Sequence, residues 1–170
     1  MRYGTTRAYI YSASQIADTI ITQEKLSGVI TQTRARAYRD VSVQAISATT
    51  ETKVQFNAET FDPASMFDST TNYRFTVTFG LWGFYLIHAE VALAAPASNS
   101  FYQVSIYKNG AKACLNQALV LTGVGQPTCQ ITDFLYLTTA DYIEIYLYLG
   151  VASSVQNGSD RTWLDVIRIF

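Results

Sequence analysis

The chain has 170 residues, of which 49 % are hydrophobic and only 15 % charged, and its net charge is −1. That apolar content excludes intrinsic disorder, and the length suffices for one domain with a sizeable core plus a small appendage. The near-zero charge, without a long basic run, argues against nucleic-acid binding. A lone domain usually carries about 25 % charged residues, so the deficit predicts a surface partly covered by partners.

Residues 1–32 differ from the rest. They are rich in Ser, Thr, Gln and Ile and hold too little to build a core of their own. Within them, Ile16-Ala17-Asp18-Thr19-Ile20-Ile21-Thr22-Gln23-Glu24-Lys25-Leu26 fits neither a helical nor a strand period for long. Two readings stand: a segment that orders on a partner or on its own copies, and a loose tail. No apolar run of signal-peptide length follows Met1, and no run approaches membrane-spanning length. The expectation is therefore no membrane insertion, with any extracellular role reached by another route such as lysis.

From about Arg34 the pattern becomes β. Val54 and Phe56 alternate with Gln55. Phe75, Val77 and Phe79 alternate with Arg74, Thr76 and Thr78. Tyr85, Ile87, Ala89, Val91 and Leu93 make a period-two apolar face, with Phe84, Leu86, His88 and Glu90 pointing the other way. Val104, Ile106 and Tyr102 mark a strand that runs into Lys108-Asn109-Gly110, where Asn-Gly predicts a tight hairpin. Residues 128–137, 141–149 and 162–170 supply three more segments, and Pro63, Pro96 and Pro127 all fall between strands. Seven or more short strands with regular turn signals predict an all-β sandwich or barrel.

In Tyr142 to Leu149, the aliphatic face of Ile143, Ile145, Leu147 and Leu149 belongs to the core. Tyr142, Glu144, Tyr146 and Tyr148 face the other way. That tyrosine-rich face suits a subunit interface, a sugar-stacking surface, or an exposed sheet of good strand propensity.

Little points to catalysis. His88 is the single imidazole and suits a surface or inter-strand role; no nucleophile-elbow spacing occurs. Asp62 and Asp68 form a conceivable carboxylate pair, and with Asp160 and Asn157 a conceivable calcium set, but their spacing follows no known loop. Cys114 and Cys129 have no metal-ligand spacing; free thiols are expected, and a cross-strand disulfide is the alternative. Arg34, Arg36 and Arg39 read as a solvated strand edge or linker. No cofactor or metal is expected.

Residues from about 34 to 170 resemble the globular heads of the complement-q and tumour-necrosis-factor-like family, most of all its bacterial and bacteriophage branch. The landmarks, in order, are Ala35-Arg36-Ala37-Tyr38, Lys53-Val54-Gln55-Phe56, Phe61-Asp62 and Met66-Phe67-Asp68. Then come Asn72-Tyr73-Arg74-Phe75-Thr76 and Gly80-Leu81-Trp82-Gly83-Phe84-Tyr85, whose Trp82-Gly83 pair departs from the family pattern. Val104-Ser105-Ile106-Tyr107-Lys108-Asn109-Gly110, Leu135-Tyr136-Leu137, Asp141-Tyr142-Ile143-Glu144-Ile145 and Thr162-Trp163-Leu164 complete the set. The resemblance implies a jelly-roll sandwich of about ten strands that trimerises, without catalytic residues. It implies that the strand around Phe134 and Tyr136 faces the trimer axis together with the last strand. It places Tyr142, Tyr146 and Tyr148 on the outer sheet, where they become candidates for receptor or glycan contact.

The segment from Ile16 to Leu26 resembles a short segment of bacteriophage tail-fibre and virion proteins. Ile16, Ile20, Ile21 and Leu26 are then candidates for anchoring to a particle. The expected protein is a homotrimeric virion head at residues 33–170, attached to other virion proteins through residues 1–32. It would contact a host cell-surface glycan or protein through loops 95–100, 122–127 and 151–160. Alternatives are a capsid decoration or head-fibre protein without a receptor and, more remotely, a glycan hydrolase.

Overall fold

Regular alternation of apolar and polar residues dictates extended chain with one buried face, and the chain between residues 33 and 170 obeys it. A computed structural model describes residues 33–94, 99–120 and 125–169. These contain thirteen strands and no helix: β1 (Arg34–Tyr38), β2 (Gln44–Ile46), β3 (Thr52–Lys53), β4 (Ala58–Phe61), β5 (Phe67–Asp68), β6 (Arg74–Thr76), β7 (Gly83–Ala92), β8 (Ser100–Lys108), β9 (Ala111–Val120), β10 (Thr128–Leu137), β11 (Tyr142–Leu149), β12 (Ser153–Val155) and β13 (Trp163–Arg168). The excess over ten comes from short pieces between β1 and β7. There Val41, Thr49, Ser65 and Tyr73 take positive φ, which interrupts a ladder.

A five-stranded sheet runs β10-β7-β13-β1-β4, and a six-membered one runs β5-β6-β11-β8-β9 with β3 also on β11. β12 and β2 form a separate two-stranded ribbon. Every ladder is antiparallel. The core lies between the two sheets. Tyr85, Ile87, Ala89, Val91 and Leu93 enter it from one side, and Ile143, Ile145, Leu147 and Leu149 from the other, all buried as the alternation predicts. Val54, Phe56, Tyr102, Val104 and Ile106 are buried too. Phe79 is not: it is 92 % exposed, because β6 ends at Thr76 and Gly80 turns the chain at φ 82°. β7 begins at Gly83, within the Trp82-Gly83 pair.

The Asn-Gly turn forms as expected, with Lys108 paired to Ala111 and φ of 53° at Asn109 and 77° at Gly110. Positive φ at both central residues is the twist-compatible hairpin geometry. A Cβ on Gly110 would make only an ordinary 3.4 Å contact with the Tyr142 hydroxyl. The cost of Gly110→Ala is therefore the left-handed backbone itself, about 1–2 kcal/mol. The expected result is a lower urea midpoint with unchanged slope.

The two ends of the sandwich are distinct. Arg168 donates its N–H to the Thr33 carbonyl and Ile169 to the Phe84 carbonyl, both over 2.8 Å. Thr33 thus enters beside the start of β7, at the end that also holds the 109–110 and 138–141 turns. At the other end, Leu93 donates to Pro127, Ala94 to Ser154, Asn99 to Val120 and Gly150 to Phe101. The described parts of the three candidate loops therefore gather at the end away from Thr33.

Candidate functional site

Two sheet faces turn away from the core, and both are aromatic. On the five-stranded sheet, cross-strand register lines up Phe134, Leu86, Ile167 and Arg34 in one row, with Tyr136 opposite Phe84 beside it. Phe84 stacks on Phe134 at 5.4 Å and meets Tyr136 edge-on at 5.1 Å. Phe134, Tyr136 and Ile167 remain 46 %, 45 % and 37 % exposed and form one contiguous apolar patch with Phe84. Phe134 and Tyr136 therefore share one face, in one sheet with the last strand. Alternation placed Phe84 and Leu86 on the outward side without marking them as site residues, and Ile167 did not stand out.

The next row is polar: Thr132, His88, Asp165 and Arg36 stand side by side across β10, β7, β13 and β1. Arg36 binds Asp165 at 2.6 Å and lies over the Trp163 ring at 4.4 Å. The His88 ring sits 4.9 Å from Trp163, which is an inter-strand packing role. Burial pushes the Asp165 carboxyl upward, against the opposing pull of Arg36 and His88.

On the six-stranded sheet, Tyr142, Tyr146 and Tyr148 are all half-buried on the outward face. They do not act alone. Arg74 lies over Tyr142 at 4.2 Å, Tyr107 packs on Tyr146 at 4.3 Å, and Phe101 stacks with Tyr148 at 5.9 Å. Glu144, on the same face, is 5 % exposed and bound to Lys53 at 2.5 Å. Such burial of a carboxylate requires a partner. Burial raises the Tyr146 phenol above its ordinary range, with the Glu144 charge adding to the effect. β9 adds exposed Leu115 and Leu119, which the sequence reading did not single out.

Asp62 and Asp68 hold their own loops. Asp62 accepts the Phe67 N–H, and Asp68 accepts from Thr70, Thr71 and Asn72. No group of three or more His, Cys, Asp or Glu residues converges among the described residues. Cys114 on β9 and Cys129 on β10 are free thiols on strands of different sheets, and burial raises both. The arginine cluster disperses: Arg34 covers Phe61, Arg36 binds Asp165, and Arg39 is buried. Arg39 donates to the Ser42 and Gln55 carbonyls, so it is a clamp rather than a solvated edge. Ile16, Ile20, Ile21 and Leu26 lie outside the described residues, as do parts of loops 95–100 and 122–127.

Two carboxylates hold turns together. Asp68 lies below the usual carboxylate range because the Thr71 and Thr70 N–H groups donate to it. Asp141 is partly desolvated, which opposes ionisation, but donors from Thr138, Asn109 and Lys108 outweigh that and hold it low as well. Depressed folded values mean stability that is present above the unfolded pKa of about 4 and lost as pH falls through the folded values. The melting temperature should fall as pH drops below about 4, and Asp141→Asn should flatten that fall. An equally steep acid limb in Asp141→Asn would show that other groups set it.

No family model matches the chain, and no curated protein does. Solved structures do. A structure of Eiger TNF from S. frugiperda superposes with a TM-score of 0.65 at 10 % identity, covering 82 % of this chain and 93 % of that one. Murine APRIL gives 0.61 at 13 % identity, covering 81 % and 99 %. The chain has the tumour-necrosis-factor jelly-roll fold. The globular domain of zebrafish complement 1qA agrees, with a TM-score of 0.60 at 13 % identity over 82 % of this chain and 98 % of that one. The all-β jelly roll expected from the sequence is thus the fold of this chain.

Proposed function

We propose that this chain is a non-catalytic, homotrimeric head of a bacteriophage virion, attached through residues 1–32 and contacting the host surface with its distal end. The observation that carries the self-assembly is the apolar patch of Phe84, Phe134, Tyr136 and Ile167 on the five-stranded sheet. A patch of this kind is costly to leave in water and suits association. The one charge in its central row is Arg34, which lies over the Phe61 ring at the far strand. The polar row of His88, Asp165 and Arg36 beside the patch adds register. The virion assignment draws on the resemblance of residues 34–170 to bacteriophage-type heads and of Ile16 to Leu26 to fibre segments.

The polarity of the fold supports the same reading. The chain enters the head at Thr33, while the described parts of loops 122–127 and 151–160 gather at the opposite end. Three heads presenting such loops would gain avidity from weak single contacts.

The test has two parts. Light scattering of the full chain should give three times its 18.9 kDa mass. Residues 33–170 alone should remain a folded trimer and lose attachment to particles. A well-folded monomer would sink the trimer, and particles still decorated by the truncated chain would sink the anchoring role of residues 1–32. Labelled trimer that saturates a few bacterial strains supports host contact. A trimer that binds no strain points to capsid decoration instead.

A further inference from the structure

The outward face of the six-stranded sheet holds a strip of uniform, uncharged chemistry. Across β11, β8 and β9, Tyr148 stands opposite Gln103 and Gln103 opposite Gln117; Tyr146 stands opposite Ser105 and Ser105 opposite Leu115. Gln103 Nε2 donates to Gln117 Oε1 over 2.7 Å on the exposed surface. That bond leaves one amide oxygen and one amino group side by side, with no protein partner among the described residues. Aromatic pairs close both ends, Phe101 with Tyr148 and Tyr107 with Tyr146.

Ser105 adds an independent sign. It alternates with core-facing Val104 and Ile106, so its side chain belongs to the outward face, yet it is fully buried beneath its neighbours. Its hydroxyl has no hydrogen-bond partner. A buried hydroxyl left unpaired costs free energy, which a ligand hydroxyl or amide would recover by parting the side chains that cover it.

Electrostatics narrows the occupant. The lysines and glutamates bordering the strip are already paired, Lys53 with Glu144 and Lys112 with Glu51, and Arg74 is laid over Tyr142. A charged partner would have to break one of these pairs. A wholly apolar partner would bury the amide pair without hydrogen bonds. A carbohydrate meets both demands. Its C–H face fits the electron-rich faces of tyrosine and phenylalanine, and its hydroxyls, each donor and acceptor, suit paired amides. From Phe101 to Tyr107 the strip runs roughly 20 Å at a strand rise of about 3.3 Å per residue, longer than one sugar ring. We infer that this strip, centred on Gln103, Gln117, Ser105 and Tyr148, binds a neutral oligosaccharide. The inference rests on the head being a binding module, and adds a contact of stated chemistry on the sheet face to the one proposed for the distal loops. It moves the centre of the contact away from Tyr142, which Arg74 covers.

The full chain is to be applied to an array of neutral hexose and N-acetylhexosamine oligomers with acidic glycans alongside, and to whole bacteria. Saturable binding to a neutral oligomer is expected, little changed by salt. Gln103→Ala and Tyr148→Ala should each weaken it about tenfold or more, the worth of one good hydrogen bond or stacking contact. Gln103→Leu keeps the shape and should lose binding without losing stability. Gly150→Ala should weaken binding less, because its Cβ would meet the Phe101 ring and Ser100 Oγ at 3.2 Å and each need give by only a few tenths of an ångström. Binding restricted to acidic glycans, or neutral binding untouched by these variants, overturns the inference. Cells bound equally by wild type and Tyr148→Ala overturn it while leaving the binding head intact. A protein that binds no cell and no glycan fails both readings.

Discussion

Phe134→Asp is expected to convert the assembled head into folded monomers, seen as a threefold fall in mass by light scattering. In an isolated head the residue is 46 % exposed, so the substitution should disturb folding little. In the trimer each copy would bury an unpaired carboxylate among Phe84, Leu86 and Tyr136. An uncompensated buried charge costs about 3–5 kcal/mol, and three copies meet at the assembly. Within one head no counter-charge is at hand: Arg36 in the row beside it already neutralises Asp165, and Arg34 in its own row stands three strands away over Phe61. The melting temperature should fall as well and become independent of protein concentration, since linkage to assembly is lost. An unchanged mass with a cooperative melt would place Phe134 outside the interface. Tyr136→Asp should behave alike, because both side chains pack on the same Phe84 ring.

The strands were legible wherever one face is buried, and the binding faces much less so. Tyr85 to Leu93 and Ile143 to Leu149 alternate because core packing leaves a period-two imprint. Lys108-Asn109-Gly110 announced its turn because few residue pairs accept two positive φ values. Phe79 shows where periodicity fails. It continues the phase of Phe75 and Val77, but Gly80 turns the chain and strands it in solvent. Strand order was not legible, since alternation says which residues share a face but not which strands are neighbours. Phe84, Leu86, Phe134 and Ile167 come from three separate strands, and only the register assembles them. The outer strip was half legible. The tyrosines of β11 stood out by composition, whereas Phe101, Gln103, Ser105 and Gln117 looked ordinary until cross-strand pairing placed them together. Glu144 and Arg39 look like surface charges in sequence, and each is buried by partners distant in the chain or held at backbone carbonyls.

The largest expected loss of stability in a single head comes from Phe75→Ala. Phe75 is fully buried on β6, and its ring meets Tyr85 of the opposite sheet at 5.5 Å, edge to face. It therefore bridges the two layers at the end where the chain enters. Truncating a buried phenylalanine costs about 3–5 kcal/mol, part of it from the cavity left behind, and the lost edge-to-face pair lies on the order of 0.5–1.5 kcal/mol within that figure. Tyr85 cannot follow the retreating ring, because its hydroxyl donates to the Leu81 carbonyl in the turn before β7. Burial pushes that phenol up to about 12, so it stays protonated and tied there across the ordinary pH range. The site is thus unable to collapse, which sets the cost at the upper part of the range. Against a total stability of about 5–15 kcal/mol, that fraction should show as a large drop in the urea midpoint. Tyr85→Phe combined with Phe75→Ala should lose less than the sum of the two single changes. Strict additivity would mean that the hydroxyl tether does not hold Tyr85 in place.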